Sequence, residues 1–492
     1  MTKREEGHYT MERDVLSKYN ESQLKSIVGP SHVLTHLHDR ALYAYDATIR
    51  RRVPTAVIRP RTTEEVAKLL MLADSCSIPI SPRGASTGLS GGAVPLHDGW
   101  VIDLSRFQDL LDIHPTDLYA RVGAGVTVEH FAQAVNSAGL FFPPDPGSAK
   151  AATMGGSLAE NAGGPHAFKY GVFRDYTLGL TVVLADGRVL HTGGLTVKNV
   201  SGYDLTRLFV GSEGTLGIIT EATMRLIPPP EDQRTLLAIY NTIDDATETV
   251  SRIISAGMQP AAMEFIDDAS IRVVESYLHL GLPLDAAALL LIEVDGPSMV
   301  VEAQARQIAE VCRQLGARSI EIASTVETAA ELWRARKSIS SAVSRIKPSK
   351  ISEDATVPRS QIPTMVRRLK AIAREYDVHL VIFGHIGDGN LHPNIVCDEN
   401  NLEEMERVWA AVAAIFDTTL ELGGTLTGEH GIGYLKAPFM PWEHDKTALD
   451  AMRQLKATYD PKHLLNPGKI FPEDAPPWPV SLSQWAGKER TR

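Results

Sequence analysis

Hydrophobic spacing divides the chain into two textures. In the first, Val15, Leu16, Tyr19, Leu24 and Ile27 recur at helical intervals and stop at Gly29-Pro30, predicting a helix over 11–30. Val53 to Arg59, between prolines, reads as a strand. Thr62-Thr63-Glu64-Glu65-Val66 supplies an N-cap and an acidic first turn, so a helix is predicted to about Ser75. Ile78-Pro79-Ile80 is a short strand leading into Ser81–Gly92, a loop rich in glycine, serine and threonine. Trp100–Leu104 and Ala120–Val122 read as strands, and Thr127 opens another helix. Thr181–Leu190, two apolar runs around Asp186-Gly187, is the clearest hairpin.

Pro228-Pro229-Pro230 marks a boundary. Beyond it, helical patterns over 243–257, 297–315 and 402–421 alternate with strand-like runs over 235–240, 287–294 and 378–384. That pattern predicts an α+β domain, an antiparallel sheet with helices on one side. The last forty residues are polar and proline-rich around the turn-like Asn466-Pro467-Gly468-Lys469.

Length and composition narrow the classes. A chain of 492 residues is too long for one core and implies two or three domains. A formal net charge of −11 argues against non-specific nucleic-acid binding. The three cysteines, Cys76, Cys312 and Cys397, form no CxxC pair, so the chain builds neither a zinc knuckle nor an iron–sulfur cluster by itself. Cys397 reads as a small buried hydrophobe. Sparse cysteines, a charged N-terminus and no apolar run of about 18 residues point to a cytoplasmic protein without a membrane span.

Three glycine-rich stretches carry the first chemical signal: Ser81–Gly92, Ala152–Pro165 and Gly202–Thr220. The first lacks the Gly-Lys-Ser/Thr ending of a phosphate-binding P-loop, and no Rossmann spacing is present. Separate loops of this kind suit one long ligand, such as a dinucleotide with a pyrophosphate and a planar ring. The second signal is Gly384–Asn394 with Gly428–Gly433. His385, His392 and Glu429 form a two-histidine, one-carboxylate set that suits a divalent metal, with His430 free as a base. The competing reading is that two of these histidines are satisfied core polars. Asp388 is either a rival ligand or a turn cap. Arg334 and Lys337 read as a solvated helix face, and Arg50-Arg51-Arg52 as surface or interface.

Taken together, Pro82–Gly92, Thr153–Gly164, Gly211–Thr220, Gly384–His392, Glu429-His430-Gly431 and Asn466–Lys469 resemble the vanillyl-alcohol oxidase/para-cresol methylhydroxylase (PCMH) superfamily of FAD-linked oxidases. The likeness runs from about residue 15 to 472. It is nearest to glycolate oxidase FAD subunits, beside D-lactate and D-2-hydroxyglutarate dehydrogenases. The resemblance implies an α+β chain. A helical segment (1–52) precedes a two-part PCMH-type FAD-binding domain (53–230). A substrate, or cap, domain (231–472) and a tail (473–492) follow, with the C-terminal region returning to the flavin.

By the same resemblance, Pro82, Arg83, Gly84, Ala85, Ser86, Thr87, Gly88 and Ser90 cradle the FAD pyrophosphate. Pro144, Asp145, Ser148, Thr153, Gly155, Gly156, Asn161 and Gly164 line the rest of the cofactor. Glu213, Gly214 and Ile219 hold the adenine side, and Asn466 closes on the flavin. The first loop has no histidine, so the FAD is expected to be non-covalent. His385, His392 and Glu429 match the ligands of a zinc-like metal. Arg336 and Asn394 match contacts to the substrate carboxylate and hydroxyl, Ser340 stands where some relatives carry threonine, and Lys350 lies near a further lysine position. The implied reaction is oxidation of a small D-2-hydroxy acid, glycolate or D-lactate, with His430 as base. D-2-hydroxyglutarate oxidation, a flavin-independent metallohydrolase using the same triad, and a non-catalytic FAD-binding subunit are the competing readings. Expected partners are the hydroxy acid and either iron–sulfur and second flavin-type subunits or a diffusible electron acceptor. A homo-oligomer is a further option, as is membrane association through partner subunits.

Overall fold

The computed structural model describes residues 21–485. The predicted helix over 11–30 appears there as Glu21–Val28, ended by Gly29 at φ +90° before Pro30; its first half lies outside the described residues. Two small sheets make the first half. In one, Ala56–Ile58, Trp100–Asp103 and Ile80–Arg83 run parallel in that order, with Val33–Leu34 antiparallel on the far edge. Helix Thr63–Cys76 begins where Thr62 Oγ1 accepts the Glu65 N–H at 3.2 Å, and buries Val66, Leu69, Leu70 and Ala73. The strand Ile80–Arg83 delivers the chain into the first glycine loop at the sheet edge. The C-terminal segment extends that edge. Ile80 donates its N–H to Leu464 and accepts from Asn466, both at 2.7 Å.

The second sheet is antiparallel, in the order Leu111–His114, Tyr119–Gly123, Ile218–Arg225, Thr177–Val183, Val189–Gly193. Its last pair is the predicted hairpin, turned at Asp186-Gly187 with Gly187 at φ +84°. Helix Met154–Glu160 packs on this sheet, and its N-cap is Thr153.

The second half opens at Asp232, just past the proline run, and builds an eight-stranded antiparallel sheet. Its order is Ala317–Ile322, Asp232–Tyr240, Ala288–Gly296, Ala262–Asp267, His379–His385, Asn390–Cys397, Ser349–Ser352, with Ala355–Thr356 also on Asn390–Cys397. Helices cover both faces, not the one face that the sequence pattern predicted. Ile243–Ser255, Ser298–Gln314, Ile362–Glu375 and Leu402–Glu421 share one core with Leu290, Ile292 and Val294. Asp268–Leu278 and Val326–Val343 share another with Leu289, Val381 and Phe383. The physical reason is visible in Ala288–Val294, which is buried at every position rather than at alternate ones.

Candidate functional site

The first glycine loop folds back over the N-terminal end of helix Met154–Glu160. A methyl group at Gly84 would overlap Thr153 Oγ1, so only glycine lets the two backbones meet. Among the described residues, the N–H groups of Gly84 to Leu89 have no protein acceptor. Ser86 Oγ, Ser90 Oγ and Asn466 Oδ1 are buried and unpartnered, and Ser86 is held at φ +56°. Free donors and hydroxyls of this kind are the complement of phosphate oxygens, so the loop fits the pyrophosphate of FAD. Asn466, at φ +46°, ties the first glycine stretch to the third. Its Nδ2 donates to Gly92 O at 2.9 Å and to Glu213 O at 2.8 Å. Lys469 donates to Val94 O at 2.7 Å and to Gly91 O, and burial lowers its ammonium to about 7.

The metal-type triad assembles in the second half. His385 ends one strand and His392 lies near the start of its hairpin partner, diagonal neighbours on one face of the sheet. Their Nε2 atoms converge on Glu429 Oε1, at 3.1 and 3.2 Å. Each Nδ1 is turned to a second carboxylate: Glu264 at 2.5 Å for His385, Asp354 at 3.2 Å for His392. Two imidazoles and a carboxylate converging, with their far nitrogens oriented by carboxylates, fit a divalent cation. Burial opposes a charge on His385, but Glu264 and Glu429 outweigh it and raise its pKa well above the usual value. Asp388 is a turn cap, its Oδ1 accepting the Asn390 N–H at 3.1 Å.

Glu429 and His430 sit on a loop stitched to Asp354. Asp354 Oδ2 accepts the N–H groups of Gly428, Glu429 and His430 at 3.0, 3.1 and 2.9 Å and the Thr427 hydroxyl at 2.8 Å. Burial works against its charge, but His430, Lys436 and His392 hold its pKa well below the carboxylate range. His430 stacks on His392 at 5.1 Å between centroids. Burial, helped by His392 and Lys436, lowers His430 to about 4 in spite of Asp354, so it is neutral at pH 7. The triad also abuts the FAD-binding half: a methyl group at Gly163 would lie 2.7 Å from Glu429 Oε2.

Residues 54–193 match the family model described as "FAD binding domain", and residues 229–470 match "FAD linked oxidases, C-terminal domain". The chain belongs to the FAD-linked oxidases. The "Glycolate oxidase subunit GlcD" of Bacillus subtilis is 48% identical over 94% of this chain and 98% of its own length. The Escherichia coli protein of the same name is 37% identical, over 86% and 84%. A "D-lactate dehydrogenase" of Archaeoglobus fulgidus is also 37% identical, over 87% and 95%. The crystal structure of p-cresol methylhydroxylase superposes with a TM-score of 0.78 at 18% identity, over 92% of this chain and 97% of that one, and so shares the PCMH fold.

Several predicted residues of this oxidase have other work. The Arg83 guanidinium does not face the cradle's open donors; it bonds the Tyr43 and Tyr45 carbonyls at 3.1 and 3.0 Å, pinning the N-terminal segment. Glu213 does not fit an adenine contact, because its two oxygens accept the Ile432 and Gly433 N–H groups at 2.7 and 2.6 Å. Ser340 is exposed and accepts from Lys350 at 2.5 Å, and no contact joins it to the triad. Asn394 is buried on the strand of His392, with Oδ1 taking Ser352 at 2.5 Å and Nδ2 giving to His392 O. Arg336 pairs with Glu264, the carboxylate behind His385, and lies over the Phe383 ring at 4.8 Å. Asp145 pairs with His166 at 2.8 Å, which also reaches Glu293 at 2.9 Å. Asn161 caps its helix at φ +54° and accepts from Arg174 N at 2.9 Å. Gly155 packs on Ala124, Gly164 on the Asp145 carbonyl and Gly214 on Pro82. Pro144 and Ile219 are buried, and Ser148 is half-buried.

Glu264, Asp354, Lys436 and Glu160 were not singled out from the sequence. Glu264, Asp354 and Lys436 are fully buried charges, and Glu160 is half-buried. The available signal was a lone charge inside an apolar run, as in Ala261-Ala262-Met263-Glu264-Phe265.

Gly84→Val is expected to yield folded protein with FAD affinity lowered at least about tenfold, since a branched side chain must displace Thr153 or the loop. Flavin content after gel filtration checks this; full occupancy would show that the loop and helix do not jointly grip the cofactor.

Proposed function

We propose that this FAD-linked oxidase converts a small D-2-hydroxy acid, glycolate or D-lactate, into the 2-oxo acid. The observation that carries the reading is the His385–His392–Glu429 convergence lying against Gly163 of the FAD-binding half. The names of the relatives, two glycolate oxidase subunits and a D-lactate dehydrogenase, support the substrate class.

Arg336 is the cation beside the triad and orients the substrate carboxylate through its remaining N–H donors. His430, neutral at pH 7, takes the proton of the 2-hydroxyl. His385, His392 and Glu429 would hold a divalent metal, zinc by its donor set, which would supply Lewis acidity at the hydroxyl. FAD, held without a covalent bond in the glycine cradle, supplies the two-electron acceptor for the C2 hydride. Gly163, lacking a side chain, lets the second stretch approach Glu429 closely. Among the described residues, Cys312 and Cys397 are buried and Cys76 exposed, without a cluster site. Two relatives are named as subunits, which supports partner subunits; iron–sulfur and second flavin-type partners, or a diffusible acceptor, are the routes for the electrons in this reading. No described helix is long and apolar enough to cross a membrane. A cytoplasmic enzyme, at the membrane only through partners, is the matching location.

The test is anaerobic bleaching of the bound flavin by glycolate and by both hands of lactate and 2-hydroxyglutarate. Glycolate or D-lactate is expected to bleach it, and L-lactate not. Bleaching by D-2-hydroxyglutarate alone would move the substrate to the larger diacid, and no bleaching of FAD- and metal-replete protein would overturn the reading.

A further inference from the structure

The loop Gly428–Gly433 carries a triad ligand and the base, yet it has no regular secondary structure. Backbone N–H groups of such a loop ordinarily turn to water. Here two buried carboxylates take them. Asp354, from the same half, holds Gly428, Glu429 and His430. Glu213, from the FAD-binding half, holds Ile432 through Oε1 and Gly433 through Oε2.

The chain passes between the clamps at Gly431, where φ is +82° and a side chain would overlap the Glu160 carboxyl. Gly433, at φ +51°, packs on the Ser90 carbonyl of the first glycine stretch. Glu213 is also referenced to the cofactor cradle, since Asn466 Nδ2 bridges its carbonyl to that of Gly92.

Resting on the reaction proposed above, we propose that Glu213 is a positioning residue that fixes the Glu429–His430 loop from the FAD-binding half. It touches neither histidine of the triad nor Glu429, and acts only through the backbone of Ile432 and Gly433. It thereby sets the metal-side loop in register with the flavin-side loops, which belong to the other half of the chain. Burial raises the pKa of Glu213 and, with the Glu213 charge, that of the neighbouring Glu160 well above the usual value, while the Ile432 and Gly433 N–H groups favour the charged form of Glu213.

The test uses full-length Glu213→Gln, with Glu213→Ala as the stronger variant where it folds. Four quantities are read: amide hydrogen exchange over 428–436, FAD content, and cobalt(II) affinity and visible spectrum after removal of bound metal. Glu213→Gln is expected to keep FAD, to speed exchange about tenfold, because hydrogen bonds to a charged acceptor are lost, and to weaken cobalt binding about 10–100-fold with an altered spectrum. Unchanged exchange would overturn the proposal, and lost FAD with unchanged exchange would make Glu213 a cofactor contact. Wild-type protein that binds no cobalt would sink the metal reading, while the exchange arm still decides the clamp.

Discussion

His392→Ala is expected to abolish substrate-driven flavin reduction, by at least about 1,000-fold, while FAD stays bound. The magnitude follows from losing Lewis-acid stabilisation worth several kcal/mol. His392 supplies one of the two imidazoles at Glu429, and its other nitrogen is already held by Asp354. Removing it takes away one of the triad's two imidazoles, the donor shared with the neighbouring Asp354, Glu429 and His430 cluster, so metal affinity falls. The glycine cradle draws on other residues, Gly84 to Ser90, Thr153 and Asn466, so flavin retention has no reason to fall. Metal content, flavin absorbance and single-turnover reduction together check this. FAD lost at unchanged metal content would make His392 a fold residue.

The same geometry gives a pH direction. Glu264 and Glu429 raise the proton affinity of His385, and a metal must displace that proton. Metal affinity is therefore expected to fall as pH falls.

How far the chain could be read in advance depended on whether a signal was local. Hairpin Thr177–Gly193 turns on Asp-Gly, and helix Thr63–Cys76 starts on a threonine cap, both set within a few residues. The three glycine stretches were legible because close backbone approach needs glycine whatever the fold. Triad residues His385, His392 and Glu429 were legible as residue types, since few histidines cluster so near glycines. The carboxylates that aim them were not. Glu264 reaches His385 across a strand pair 121 residues apart, and Asp354 grips a loop more than seventy residues later. Arg83 and Glu213 lie within recognisable motifs, yet each is spent on a contact that only the tertiary fold creates. Helices on both faces were missed because apolar strands looked like one-sided ones at short range.

His430→Asn is expected to slow flavin reduction about 10²–10⁴-fold, the usual contribution of a positioned base, while substrate binding changes little. The argument rests on charge as much as on place. Burial keeps the ring neutral at pH 7, with a pKa lowered to about 4, so it can accept a proton. A base that weak takes little from an unactivated hydroxyl. A divalent cation held by His385, His392 and Glu429 would supply the Lewis acidity that matches so weak a base to the hydroxyl. Asp354 Oδ1, 3.3 Å from Nδ1, then faces the imidazolium as it forms. The sign for pH follows: the accepting form persists above about 4, so the base is lost only as pH falls through that value. Reduction of the variant at the wild-type single-turnover rate would remove His430 from the mechanism. A rate equal to that of the His392 variant, with the double variant no slower, would show that base and metal act as one unit.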